Sequence, residues 1–370
     1  VQQQTLTQPE TEQRGEALPG VGDKCVFVVF NPVSGRSDPD ERKKAISDAL
    51  ARHGYTCQFI VTSEERGAKA LTEEAIQDGV DLVAVSGGDG TVMEVLHALV
   101  GTDIPVAILP AGTGNLLSTN LGIPGAVPDA VEVALSGLPY SLDLARSSEG
   151  RYFAIMGGMG LDGKVIEEAD REAKNRLGVL AYFWAAAKNL SRRREAVVIR
   201  LDDRPPLRRR AKSVLIANMG KITGGLEALP TAAPDDGLLD VAIVKARTFW
   251  QWLRLFGYAV LGRTQEAPEI EVYQARRIRL TSRRPEPVEF DGEEAGRMSS
   301  LTVEVVPSAV RVLLPKDAPA ARDTREPPVM VARRSARNRL LLAGGAVLAL
   351  TVAGVLGVRA WQRLRRRSRP

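Results

Sequence analysis

VSGGDGTVMEVLHAL, Val85 to Leu99, is the stretch on which the fold turns. An apolar strand runs into Gly87-Gly88-Asp89-Gly90-Thr91, and Val92, Val95, Leu96 and Leu99 then recur at helical spacing. Strand, glycine turn and helix in that order aim several backbone N–H groups and a helix N-terminus into one crevice, where anions bind. Glycines let the backbone approach a polyphosphate with no Cβ in the way. Thr91 adds a hydroxyl, and Asp89 an acid able to hold Mg²⁺ directly or through water. A plain tight turn needs one or two glycines; here three surround an acid.

Working outward, CVFVVF (25–30) is a continuous apolar run of the kind a buried parallel strand shows, and loop residues follow it. ERKKAISDALARHG (41–54) predicts a helix with Ile46, Ala49 and Leu50 on one face and Gly54 as its left-handed cap. YTCQFIVT (55–62) predicts a second strand, and a helix near Ala68 to Asp78 leads to the strand before the glycines. This order implies a parallel sheet with right-handed crossovers and a ligand site beyond the carboxyl ends of its strands. Two more loops fall at such ends: NPVSGR (31–36), which supplies Asn31, Pro32, Ser34 and Gly35, and PAGTGN (110–115), with Gly112, Thr113 and Gly114.

After Asp143 the texture becomes strands with long loops, such as AVVIRLDD, KSVLIANMG, LLDVAIVKA and LTVEVVPSAVRVLLP, interrupted by helical stretches near 164–190 and 248–262. That pattern is mostly antiparallel β. GGMGLDGK (157–164) imitates a phosphate loop. Val165 stands where a Mg²⁺-binding Ser or Thr belongs, however, and the segment opens the β half rather than the first strand–helix unit, so the reading fails.

The 370 residues are 44% hydrophobic and 26% charged, the balance of an ordinary globular chain. Cys25 and Cys57 are too few for a disulfide framework or a zinc cluster and read as small core residues. The net charge of +5 hints at nucleic acid until it is located. Residues 333–370 hold ten arginines and no acid, leaving the rest with 40 basic and 45 acidic groups. A nucleic-acid partner is therefore not expected. Between the arginine clusters, LLLAGGAVLALTVAGVLGV (340–358) has the length of a membrane-crossing helix, with Trp361 placed for the interface.

NPVSGR, GGDGTVMEV, PAGTGN, PDDGLLDVAIV (234–244) and FDGE (290–293), in this order, resemble the diacylglycerol kinase catalytic-domain family of lipid kinases, which includes bacterial soluble diacylglycerol kinases and sphingosine kinases. The resemblance spans about Lys24 to Pro315. It implies ATP across the cleft, its phosphates over Asn31 to Gly35 and over Gly87 to Glu94, with Thr62 and Thr113 touching the nucleotide. It places the general base in the DGE loop, at Asp291 or Glu293, and the residues alone do not choose between them. It implies a structural Mg²⁺ site formed by the Asp236 side chain and the carbonyls of Ala233 and Leu238. From the sphingosine kinases it suggests Asp162 as a contact to the lipid headgroup. One departure is Leu116, where the family often has an acid.

The expected organisation is a disordered lead (1–23), an α/β nucleotide-binding domain with a parallel sheet (24–145), a mostly antiparallel β-sandwich whose last segment returns to the first domain (146–315), a linker (316–339), a C-terminal transmembrane anchor (340–358) and a basic tail (359–370). The expected activity is transfer of phosphate from ATP, with Mg²⁺, to a membrane lipid hydroxyl, diacylglycerol first. The rivals are a kinase of a soluble acceptor such as NAD and a catalytically silent nucleotide-binding membrane protein. The expected setting is a bilayer, with the catalytic domains facing the cytoplasm; monomer and homodimer both stay open.

Overall fold

The structure, a computed structural model, describes residues 25–35, 37–160, 195–222 and 226–318. The lead, Asp162, the helical stretch expected near 164–190, the run 340–358 and the basic tail lie outside them. Among the described residues no helix is long and apolar enough to cross a membrane.

The first half alternates β1 (Cys25–Phe30), α1 (Pro39–Arg52), β2 (Thr56–Val61), α2 (Ala68–Gln77), β3 (Val83–Gly87), α3 (Asp89–Leu99) and β4 (Pro105–Pro110), then α4 (Leu116–Leu121) and α5 (Val127–Ser136). β1 pairs in parallel with β2 and β3, and β3 with β4. Because side chains alternate across a strand, Val26, Val28 and Phe30 pack on one face with Ile46, Ala49 and Leu50 of α1 and with α5. Phe27 and Val29 pack on the other with α2, α3 and α4. α1 begins two residues before the expected start. Asp38 accepts from the N–H groups of Asp40 and Glu41, and Pro39 occupies the first turn, where its missing N–H costs nothing.

The second half is built of β5 (Leu138–Ser147), β6 (Tyr152–Phe153), β7 (Met156–Met159), β8 (Glu195–Leu201), β9 (Leu207–Ala211), β10 (Ser213–Ala217), β11 (Lys221–Ile222), β12 (Leu226–Glu227), β13 (Leu239–Val244), α6 (Phe249–Val260), β14 (Ile270–Ala275), β15 (Arg277–Phe290) and β16 (Glu293–Leu314). Apart from the β16–β4 pair, its pairing is antiparallel. β15 and β16 lose register between Thr281 and Glu286. β8, which pairs with β15 ahead of that break, shares one apolar cluster with β10 and β13, which gives the sandwich-like core.

The two halves are not separate sheets. One hydrogen-bonded path runs β14-β13-β10-β7-β15-β16-β4-β3-β1-β2. β16 makes the join: its first part pairs with β15, its last with β5 and, in parallel, with β4 at Arg311 and Val312. A break in register between Val306 and Val310, with Ser308 at φ 48°, turns the strand from one half to the other. The carboxylate of Asp143 fills that bulge, accepting from the Ser308 N–H at 2.7 Å.

Candidate active site

Parallel register places the ends of β1, β3 and β4 on one edge. There the Asn31 N–H reaches the Ser86 carbonyl at 2.9 Å and the Ala111 N–H the Gly87 carbonyl at 3.0 Å. The loops beyond are tied together by side chains. Asn31 Nδ2 donates to Thr91 Oγ1 at 2.7 Å, and the Gly88 N–H donates to Ser34 Oγ at 3.2 Å. A Cβ on Gly112 would stand 2.7 Å from Gly88 Cα, and one on Gly35, whose φ is +82°, would stand 2.0 Å from the Ala111 carbonyl oxygen. Glycine is therefore what lets the three loops close on one another. Gly88 caps α3 without a side-chain bond, so the first-turn N–H groups of that helix are left for an anion.

The expected nucleotide residues do not all take the same part. Asn31, Ser34, Gly35, Gly87, Gly88, Gly90 and Thr91 form the knot, and Pro32 lies in the first loop's turn. Asp89 Oδ1 accepts from the Leu117 N–H at 3.1 Å, which binds the GGDG turn to α4. The Thr62 N–H bonds the Phe30 carbonyl beside Asn31, and Thr113 is exposed at the rim. Glu94 turns away from the knot: its Oε2 accepts from the Lys69 N–H at 3.2 Å and serves the first turn of α2.

Arg42 was not legible as a site residue. Buried in α1, it donates through Nη1 and Nη2 to the carbonyls of Ser34 and Asn31, and its guanidinium carbon lies 4.4 Å over the Phe30 ring. Two carbonyls of the first loop are thus held inward. Burial lowers the Arg42 pKa.

The DGE segment is a hairpin tip between β15 and β16, with Asp291 at φ 49°. Its two acids have different surroundings. The Asp291 carboxylate accepts from the N–H groups of Ala154, Ile155 and Met156 at 2.8, 2.9 and 2.8 Å. Burial pushes its pKa up to about 6, against those three bonds, and the neighbouring Asp89 adds to the rise. The Glu293 side chain is 64% exposed and meets Arg151 at 3.3 Å. Its Oε1 lies 3.2 Å from where a Cβ of Gly90 would be, on the GGDG turn. Asn218, also missed in the sequence, is buried and donates to the carbonyls of Asp143 and Ala154 at 2.8 and 3.0 Å. It braces the backbone that holds Asp291.

The expected metal loop lies beside Asp143. Asp236 Oδ1 accepts from the Leu238 N–H at 2.8 Å, and Asp143 Oδ2 from the Gly237 N–H at 2.7 Å. Burial, against the Leu238 bond and with help from the charges of Asp240, Asp143 and Asp235, lifts the Asp236 pKa to about 6. Such crowding suits a hard divalent cation. Among the described residues no three acidic, His or Cys side chains group to hold a metal by themselves, so carbonyl ligands such as those of Ala233 and Leu238 are needed.

Residues 25–147 match the diacylglycerol kinase catalytic domain, and residues 156–314 the YegS C-terminal NAD kinase beta sandwich-like domain. The chain is 30% identical over 300 residues to a diacylglycerol kinase of Mycobacterium tuberculosis, covering 79% of this chain and 95% of that one. It is 27% identical to a Citrobacter koseri protein named "Probable lipid kinase YegS-like", covering 78% and 97%. Its fold resembles the crystal structure of a diacylglycerol kinase from Bacillus anthracis, with TM-score 0.63, 22% identity, and 79% and 97% of the two chains covered.

Proposed function

Because the chain belongs to the diacylglycerol kinase catalytic-domain family and is a phosphotransferase with an alcohol acceptor, we propose that it transfers the γ-phosphate of ATP to a hydroxyl of a membrane lipid, diacylglycerol first among acceptors. The observation that carries this reading is the placement of Glu293 over Gly90, at the turn where three phosphate-type loops meet.

In this mechanism the N–H groups of the first loop and of the α3 first turn hold the triphosphate, and Arg42 keeps the first loop in shape from behind. Phosphoryl transfer is chiefly positioning and charge stabilisation. Glu293, free of backbone bonds to satisfy, takes the proton of the lipid hydroxyl as its oxygen bonds to the γ-phosphorus and the bond to the β-phosphate oxygen breaks. Asp291 is a positioning residue. Its three amide bonds fix the hairpin tip that carries Glu293. Asp236 with the carbonyls of Ala233 and Leu238 would hold a structural Mg²⁺, and Asp89 would hold a second one, which would supply charge neutralisation at the phosphates. We further propose that residues 340–358 anchor the chain in a bilayer with its catalytic half on the ATP-containing, cytoplasmic side.

The test is transfer from labelled ATP to a lipid panel, to NAD and to no acceptor. Label in a lipid supports the proposal, label in NAD overturns the acceptor, and no label with any acceptor overturns the activity. Glu293→Gln should lower kcat by about a hundredfold or more with the melting temperature unchanged.

A further inference from the structure

The exposed face of α6 carries more apolar surface than a solvent-facing helix needs. Thr248 and Gln251 form a capping box at its start, so the helix is well defined. Its inner face packs Leu255, with Trp252 and Tyr258, onto Ala217, Ala242 and Val244 of the sheet. On the outer face the Trp250, Val260 and Leu261 residues are 72%, 56% and 70% exposed, and Leu253 is 38% exposed. Trp250, Leu253, Gly257 and Val260 follow one another at spacings of three, four and three residues along one side, and Leu261 is the C-cap. Gly257 lies between them, and a Cβ there would meet nothing within 4 Å. A helix apolar on both sides is ordinarily buried on both; among the described residues this one packs on one.

We propose that this face docks on an anionic lipid bilayer, the surface that holds the acceptor. The inference rests on the lipid-kinase reading and names the surface through which that kinase meets its substrate. Charge favours this occupant. Residues 245–265 contain Lys245, Arg247, Arg254 and Arg263 and no acid, and Arg209 lies beside them. The facing acids are Glu271, bonded to Lys245 and Arg209, Glu269, bonded to Arg254, Glu266, bonded to Arg263, and Glu227, whose carboxylate lies beside Gly262. Five cations against four acids leave the patch with one net positive charge, and Arg247 has no ion pair among the described residues. Trp250 with aliphatic neighbours above a cationic fringe is the composition of a helix lying in the headgroup layer. The inner face joins the surface to the chemistry: the cluster beneath α6 includes Met156, whose N–H holds Asp291. The anchor proposed at 340–358 makes a bilayer the surface that α6 meets at the highest effective concentration.

The experiment places an environment-sensitive fluorophore on Leu253→Cys in the full chain, with Cys25→Ser and Cys57→Ala removing the native thiols. Asp81→Cys, at the opposite edge of the parallel sheet from the glycine loops, is the control position. The probes are phosphatidylcholine vesicles with and without phosphatidylglycerol, and co-sedimentation reports whether the chain is bound. The expected result is a blue-shifted, roughly threefold brighter emission at position 253 on anionic vesicles, smaller on neutral ones, with position 81 unchanged. Trp250→Ser in the labelled chain should abolish the shift. The proposal is overturned if the chain sediments while position 253 stays aqueous, or if it does not sediment. It is also overturned if position 253 is already shielded without vesicles, which would mean that protein covers the face. Wild-type transfer to diacylglycerol is measured separately, so loss of the kinase reading and loss of the docking surface are distinguishable.

Discussion

Asp291 and Glu293 are separated by one glycine and differ in almost everything else. Asp291 is spent on three backbone amides, so Asp291→Asn, with one acceptor oxygen in place of two, should destabilise the fold by about 1–3 kcal/mol. The pH dependence has a definite sign. The folded pKa, about 6, lies above the ordinary aspartate value, so the folded state holds the proton more tightly between about pH 4 and 6, and stability falls as pH rises through that window. Denaturant titrations should show the wild type losing on the order of 1 kcal/mol more than Asp291→Asn between pH 4.5 and 7. Equal losses would mean that the carboxyl titrates normally. Sequence could not separate the two acids, because the amides that engage Asp291 lie more than 130 positions away. Arg42 was hidden differently: it is one cation among Arg42, Lys43 and Lys44, and only its burial under Phe30 marks it. Arg42→Met should raise the KM for ATP by about tenfold with little change in kcat, and Arg42→Lys should recover part of the loss.

At the level of the elements, the helices and buried strands of the first half were readable because each carries one signature: an unbroken apolar run for β1, a 3.6-residue period for α1 and α3. The glycine loops were readable because composition and placement agree. Their mutual contact was not, since it needs the register of β1, β3 and β4. Gly112→Ala tests that contact. A Cβ 2.7 Å from Gly88 Cα must push the loops apart, and kcat/KM should fall by about a hundredfold; Gly125→Ala, with nothing within 4 Å, should leave it unchanged. LTVEVVPSAVRVLLP reads as one strand, but β16 begins earlier, at Glu293, and passes Pro307 and Ser308 through a bulge whose freed N–H is met by Asp143; neither the early start nor the bulge shows in the pattern.

Across the whole molecule, Asp143 joins what the sequence showed as separate pieces, receiving Ser308 from β16 and Gly237 from the metal loop. A cation at Asp236 would therefore support the seam between the halves as well as its own loop. Chelation should lower the melting temperature of the wild type by several degrees, and Asp236→Ala should melt low and ignore the chelator. If chelation shifts both equally, the cation acts elsewhere. A change of texture near Asp143 and a last segment returning to the first domain are expected from the sequence; that this return is backbone pairing of β16 with β4, so that one sheet crosses the boundary, is not, because it is a property of the folded chain.

The passage of β16 through both halves also limits how the enzyme can move. Many phosphotransferases shut over their nucleotide by rotating two rigid bodies about a flexible strap. Here such a rotation would have to unzip backbone pairing in the middle of the molecule. Water must instead be shed by small adjustments of the turns at the rim and by the arriving acceptor itself, so the particle's radius should be the same with and without nucleotide.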